Sequence, residues 1–246
     1  MNLNIAWFYS DLMSTYGDRG NIISLTYRVK KRNININLLK ISVKESAELV
    51  LKSDLIFMGG AQDKQQEIVN KDLETNKGKN LKLMIEKGIP GLYVCGAYQF
   101  LGKYYKAADG TIIKGLDIFD LYTESPGIDA PRLIGNLIAK PDISPEGTFV
   151  GFENHTGRTY LGEKVKPFAK VVNGFGNNGE DKTEGMIYKN SIGTYMHGPI
   201  LPKNPLLADW LIAKAIEIKY KKRINLENLD DSLENKAKEI IVKRYT

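Results

Sequence analysis

The stretch LYVCGAYQ (92–99) decides how the chain is read. An apolar run meets a cysteine, and a glycine and an alanine follow it. GLYVCGA (91–97), entered through Pro90, has the continuous apolar character of a strand covered on both faces. AYQFLGKYY (97–105) reads as the helix that leaves it. The same texture recurs upstream. LNIAWFY (3–9), INLLKI (36–41) and LIFMGG (55–60) are strand-like. NIISLTYRVKKR (21–32), with Ile22, Leu25 and Val29 on one side, reads as helix, as do ESAELVLKS (45–53) and EIVNKDLETNKGKNLKLMIEKG (67–88).

Strands alternating with helices predict an α/β fold: one flavodoxin-like, three-layer domain with a mostly parallel central sheet and helices on both faces. After Gly102 the texture changes to extra short strands divided by Gly, Pro, Asn and Asp, such as RLIGNLIAK, GTFVGFENHTG and GMIYKNSIGTYMHG. PLLADWLIAKAIEIKYKK (205–222) is a helix with Leu207, Leu211, Ala215 and Ile218 on one stripe. LDDSLENKAKEIIVKRY (229–245) is a last helix, acidic at its start and basic at its end, which suits the macrodipole. With no low-complexity linker and no repeat, a single domain over 1–246 is the economical organisation. Its core spans about 3–215, and 223–246 form a C-terminal helical extension.

The bulk properties narrow the setting. One cysteine in 246 residues excludes an internal disulfide framework and points to a reducing, cytoplasmic compartment. No apolar run approaches the roughly 18 residues of a membrane span. The start, MNLNIAWFYSDLMSTYGD, lacks the basic region of a signal peptide. The net charge of +6 comes with short basic clusters at VKKR (29–32) and KYKKR (219–223). These read as solvated helix ends, or as attraction to an acidic partner or an anionic membrane face. No nucleic-acid module is present. Two histidines, one cysteine and no CxxC or HExxH spacing leave no dedicated metal site. GFGNNG (174–179) resembles a phosphate loop, but it falls between late strands with no helix behind it.

Cys95 lies at the carboxyl end of an expected parallel strand, the edge where open α/β sheets bind ligands. A nucleophile between strand and helix sits on a sharp turn and needs small neighbours, which Gly96 and Ala97 supply. The first N–H groups of the following helix favour a thiolate and can hold an oxyanion, with Gly96 as the natural donor. His197 ends the apolar segment IGTYMH at another strand end and is placed to serve as base. MGGAQD (58–63) closes LIFMGG with two glycines that allow close backbone approach, so an N–H there can be a second oxyanion donor. A buried structural cysteine and a capping histidine are the competing readings. The whole set describes an acyl-transfer site.

These residues resemble the class I (triad) glutamine amidotransferases, and within them the cobyric acid synthase-like branch that includes the glutaminase subunits of lipid II isoglutaminyl synthases. The strings that carry the likeness are YGDRGNIISL (16–25), GGAQDKQQ (59–66), VCGAYQFLGKYY (94–105), GFENHTGRTYLG (151–162) and GTYMHGPILPKNPLLADWL (193–211). The resemblance implies hydrolysis of L-glutamine to glutamate and ammonia. Cys95 is then the nucleophile, His197 the base and acid, and Gly60 and Gly96 the oxyanion donors. Arg132 pairs with the α-carboxylate of glutamine, and Gln99, a helical turn past the cysteine, touches the substrate. It also implies no cofactor in this chain. ATP and Mg are expected on a Mur-ligase-like partner subunit, MurT, which amidates D-glutamate of the lipid II stem peptide to D-isoglutamine at the inner face of the cell membrane.

The sequence departs from that family in places. Tyr93 stands where the usual elbow has glycine, and Ala97 replaces a later glycine. Pro199 stands where a glutamate would orient the histidine. Glu153, Asp209, a backbone carbonyl or a carboxylate from another protein could take over. We expect the last, and with it weak glutaminase activity for the chain alone. His155 is read as shaping its loop with Glu153 and Arg158. The same chemistry serving a cobyrinic acid-type synthetase, a cysteine peptidase, or a non-enzymatic α/β binding protein are the alternatives.

Overall fold

The computed structural model describes residues 1–61, 63–143 and 147–246, with the side chains of all of these except 63 and 64. The first half runs β1 (Asn2–Phe8), α1 (Arg19–Lys31), β2 (Asn35–Ile41), β3 (Leu55–Met58), α2 (Asp63–Leu73), α3 (Asn76–Glu86), β4 (Gly91–Val94) and the five-residue α4 (Gly96–Phe100). The second half adds β5 (Tyr104–Lys106), β6 (Ile112–Lys114), β7 (Leu121–Glu124), β8 (Leu133–Pro141), β9 (Phe149–His155), β10 (Arg158–Leu161), β11 (Ala169–Asn173), β12 (Thr183–Glu184), β13 (Met186–Tyr188) and β14 (Ser191–Thr194). The helices α5 (Ile200–Lys203), α6 (Pro205–Tyr220) and α7 (Ser232–Tyr245) end the chain.

The central sheet has the order β13-β14-β4-β3-β1-β2. Every pairing in it is parallel except β13 with β14. Its continuous apolar strands feed two cores. Leu3, Ile5, Leu55, Phe57, Leu92 and Val94 pack under Ile22, Leu25 and Val29 of α1 and Leu207 and Leu211 of α6. Ala6, Phe8, Ile56, Met58 and Tyr93 face the opposite way, onto Val69 and Leu73 of α2 and Leu81 and Ile85 of α3. That two-sided burial is why these strands read as unbroken apolar runs rather than alternating ones. The short strands of the second half form two further four-stranded sheets, β10-β7-β5-β6 and β12-β11-β8-β9.

Three local expectations change. The segment 45–53 is a 3-10 helix over Ala47–Lys52, opened by Ser46, whose hydroxyl accepts from the Glu48 N–H. The helix expected over 67–88 is two helices. Thr75 ends one and caps the other, accepting from the Lys77 N–H at 3.3 Å. The helix after Cys95 is only α4. The Lys103 N–H donates to Leu121 O at 2.8 Å, and the chain turns away into β5. The C-terminal extension joins the body through Arg28, which binds Asp209 at 2.6 Å and Asp231 at 2.5 Å. Among the described residues no helix is long and apolar enough to cross a membrane.

Candidate active site

The carboxyl ends of β1, β3 and β4 and the segment beyond β14 meet at one edge of the central sheet. At that edge Cys95 adopts φ +51° and ψ −106°, a conformation that costs a non-glycine residue on the order of 1–3 kcal/mol. Its N–H donates to Thr194 O at 2.9 Å, and its carbonyl accepts from the Gln99 N–H at 3.0 Å. Strand pairing on one side and a helical turn on the other hold the strained residue in place. The side chain is half-buried, not sunk in the core. Gly96 makes a close approach: a Cβ there would lie 3.2 Å from Ala61 N and 3.3 Å from Gln66 Nε2, and those neighbours would have to give by a few tenths of an ångström. Tyr93 turns into the core under α2 and α3, away from this edge.

His197 reaches the same edge from beyond β14. Its backbone exchanges hydrogen bonds with Phe152, N–H to O at 2.7 Å and the reverse at 3.1 Å. The ring is fully buried. A Cβ on Gly60 would sit 3.0 Å from His197 Cε1 and 3.4 Å from Cys95 Cβ, so the imidazole and the cysteine flank one glycine. Nδ1 lies 3.3 Å from Asp18 Oδ1. Nε2 is buried without a hydrogen-bond partner among the described residues. Burial acts to lower the His197 pKa, but the negative charge of a Cys95 thiolate and the Asp18 carboxylate outweigh it, and the pKa is pushed up to about 10.

Asp18, which the sequence reading did not consider, lies opposite Nδ1 and is a candidate within this chain for the orienting acid. Glu153 is occupied elsewhere: its oxygens accept from the Phe175 and Gly176 N–H groups at 2.7 and 2.9 Å. The glycine-rich loop 174–179 thus does bind an anion, but the anion is the chain's own carboxylate. Asp209 is taken by Arg28 and Arg32.

Asp18 also changes the role of Gly60. The Gly60 N–H donates to Asp18 Oδ2 at 2.7 Å, and its carbonyl accepts from Thr15 Oγ1 at 3.0 Å. The donor expected from Gly60 is therefore already engaged. Ala61 N, 3.2 Å from where a Cβ on Gly96 would lie, is the other backbone donor that this loop brings to the site; Gln62 lies outside the described residues. Gly96, at the first turn of α4, has an N–H that no helical carbonyl can take.

A cavity of about 630 Å³ opens over Cys95, and Tyr16, Gln66, Gln99, Arg132, Asn154 and His155 are among its lining residues. Its size suits a small polar metabolite. Arg132 projects from the loop before β8 and donates from Nε to Asn154 Oδ1 at 2.7 Å. Gln99 is buried and donates to Tyr195 Oη at 3.1 Å. His155 shapes its loop, as read: Nδ1 sits 2.8 Å from Gly157 O, and Nε2 is 3.6 Å from Glu153 Oε2. Arg158 instead donates to Thr156 O and Pro131 O. All six expected site residues thus converge on one edge of the sheet. Asp18, Tyr16 and Asn154 were missed. The signal for two of them was YGD (16–18), in the segment between β1 and α1, and for Asn154 it was FENH (152–155).

Residues 4–205 match the family model of the CobB/CobQ-like glutamine amidotransferase domain. The chain is 46% identical to the lipid II isoglutaminyl synthase (glutamine-hydrolyzing) subunit GatD of Staphylococcus aureus, covering 98% of this chain and 96% of that one. It is 39% identical to the GatD subunit of Streptococcus pneumoniae, over 96% and 89% respectively. A crystal structure of a glutamine amidotransferase shares the fold, with TM-score 0.56 at 14% identity, over 85% of this chain and 98% of that one.

Proposed function

The chain belongs to the CobB/CobQ-like glutamine amidotransferase family, and from that premise we propose that it is the glutamine-hydrolysing subunit of a lipid II isoglutaminyl synthase. The observation that carries the chemistry is the strained, half-buried Cys95 sharing a glycine's width with His197, whose other ring nitrogen faces Asp18. The Cys95 thiolate attacks the side-chain carboxamide carbon of L-glutamine. The developing oxyanion faces the Gly96 N–H and, in place of Gly60, the Ala61 N–H. The His197 imidazolium protonates the departing nitrogen, ammonia leaves, and a glutamyl thioester remains on Cys95. His197, now neutral, takes a proton from water, which attacks the thioester. Glutamate departs, and the thiolate–imidazolium pair is restored. Asp18 holds the ring in the tautomer and orientation that both steps use.

Arg132 clasps the substrate α-carboxylate and Gln99 closes the cavity wall beside it. No ATP is consumed in these steps, so the ammonia is handed on. The acceptor is a Mur-ligase-like partner, MurT, that activates the α-carboxyl of D-glutamate in the lipid II stem peptide with ATP and Mg, on the cytoplasmic side of the membrane. The names of the two relatives support the assignment to a multi-subunit synthase. The test is co-expression with that ligase and an assay of ammonia release from glutamine. Wild type should be active, and Cys95→Ser and His197→Ala at least a thousandfold slower. Undiminished release by Cys95→Ser would end the reading.

A further inference from the structure

Tyr16 and Asn154 make contacts that neither the nucleophile nor its base requires. The Arg132 guanidinium has five N–H donors. Its Nε donates to Asn154 Oδ1 at 2.7 Å, and its Nη2 to the Asn154 carbonyl at 3.1 Å. Asn154 thus takes one side of the fork. The donors left over, two on Nη1 and one on Nη2, form the end that clasps a carboxylate with two parallel bonds. The same asparagine donates from Nδ2 to Tyr16 Oη at 2.7 Å. The Tyr16 ring then meets the His197 ring edge-on, at 5.1 Å between centroids and 74°. One line of contacts runs from guanidinium to imidazole, and Arg132, Asn154 and Tyr16 all line the cavity over Cys95.

The backbone at this point is built for the purpose. Tyr16 has φ +54°, a left-handed conformation that a tyrosine does not choose locally. Its neighbours enforce it. Thr15 binds the Gly60 carbonyl through both its N–H and its hydroxyl, and Asp18 takes the Gly60 N–H. Four residues, 15–18, therefore carry the acid, the ring that covers His197 and the anchor to the 60–61 loop.

We infer that Asn154 and Tyr16 are positioning residues: Asn154 sets the Arg132 fork for the α-carboxylate of glutamine, and Tyr16 ties that end of the site to the His197 ring. This rests on the glutaminase reading above. Its consequence is selective. An amide without an α-carboxylate gains nothing from the clasp, so the two residues act on discrimination and not only on rate.

The experiment compares L-glutamine with 4-aminobutanamide, the same chain lacking only the carboxylate, by ammonia release from the chain co-expressed with its ligase partner. The readout is the ratio of the two kcat/KM values. Asn154→Ala loses a charge-assisted hydrogen bond, and the ratio should fall about tenfold, mainly through KM for glutamine. Tyr16→Phe keeps the ring and loses only the hydroxyl, and the ratio should fall about threefold. The double variant should fall no further than Asn154→Ala, because both changes break the same line. Tyr16→Phe alone still decides the matter should Asn154→Ala not fold. Equal losses on both amides, or independent effects of the two changes, would overturn the inference. Active wild type and inactive Cys95→Ser with an unmoved ratio defeats this inference alone. Wild type that releases no ammonia defeats the glutaminase reading and this inference with it.

Discussion

Replacing Asp18 with asparagine tests the orienting role proposed for that side chain. Asp18 Oδ1 stands 3.3 Å from His197 Nδ1, and both side chains are fully buried. Two unit charges at that distance attract by about 5 kcal/mol at an effective dielectric of about 20. Asparagine keeps an acceptor oxygen but no charge. Its NH2 would also face the Gly60 N–H, donor against donor, where Oδ2 now accepts at 2.7 Å. Losing about half the attraction at the transition state slows kcat about a hundredfold. Asp18 does not line the cavity, so KM for glutamine should change little. The assay is steady-state ammonia release across a range of glutamine concentrations, with and without the ligase partner, and a thermal melt to confirm folding. A folded Asp18→Asn chain whose kcat stays within threefold of wild type would refute the reasoning. Near-full activity only with the partner present would return the orienting role to an outside carboxylate.

Three further outcomes follow from the same geometry. Cys95→Gly should be more stable than Cys95→Ala by about 1–2 kcal/mol, reversing the usual order, because glycine alone relaxes at φ +51°; chemical denaturation of the two variants measures it. Gly96→Ala should cut turnover at least tenfold with a stability cost near 1 kcal/mol, since its Cβ would press on Ala61 N and Gln66 Nε2; a large melt shift in place of a rate loss would contradict this. Burial raises the Glu184 carboxyl from its usual 4.5 to about 7. The folded state then binds the proton more tightly than the unfolded state, so the contribution of Glu184 to stability is full at low pH and is lost as pH rises from 4.5 through 7. The full change is about 3 kcal/mol. Urea unfolding of Glu184→Gln between pH 4.5 and 6.5, below the range where His197 adds its own slope, should be flatter than wild type, and an unchanged slope would assign it to another group.

The first half of the fold was legible because β1, β3 and β4 are buried on both faces and leave unbroken apolar runs. The position of Cys95 at the sheet edge was legible for a related reason: Cys-Gly at the end of such a run has few uses. The polar middle of 67–88 hid a break at Thr75, where a hydroxyl cap competes with helix continuation. Residues 97–105 kept a helical pattern, yet pairing of β5 with β7 drew the chain out of it. Asp18 was illegible for a physical reason. An acid before an apolar helix reads as a cap, and Asp18 does hold the cap position of α1. Its side chain makes no capping bond and turns to His197 instead, a choice fixed by contacts 179 residues away in the chain. Gly60 shows the converse: its closeness to the site was readable, but not that Asp18 would claim its N–H.

The most direct measurement is stoichiometric labelling with an electrophilic glutamine analogue that alkylates a thiolate. Intact-mass and peptide mass spectrometry follow the adduct, and ammonia release is read on the same samples. The expected result is one adduct on the peptide bearing Cys95, formed more slowly in His197→Ala, blocked by glutamine, with activity lost in proportion to label. A chain fully labelled at Cys95 that still releases ammonia from glutamine at the unlabelled rate would contradict the central claim.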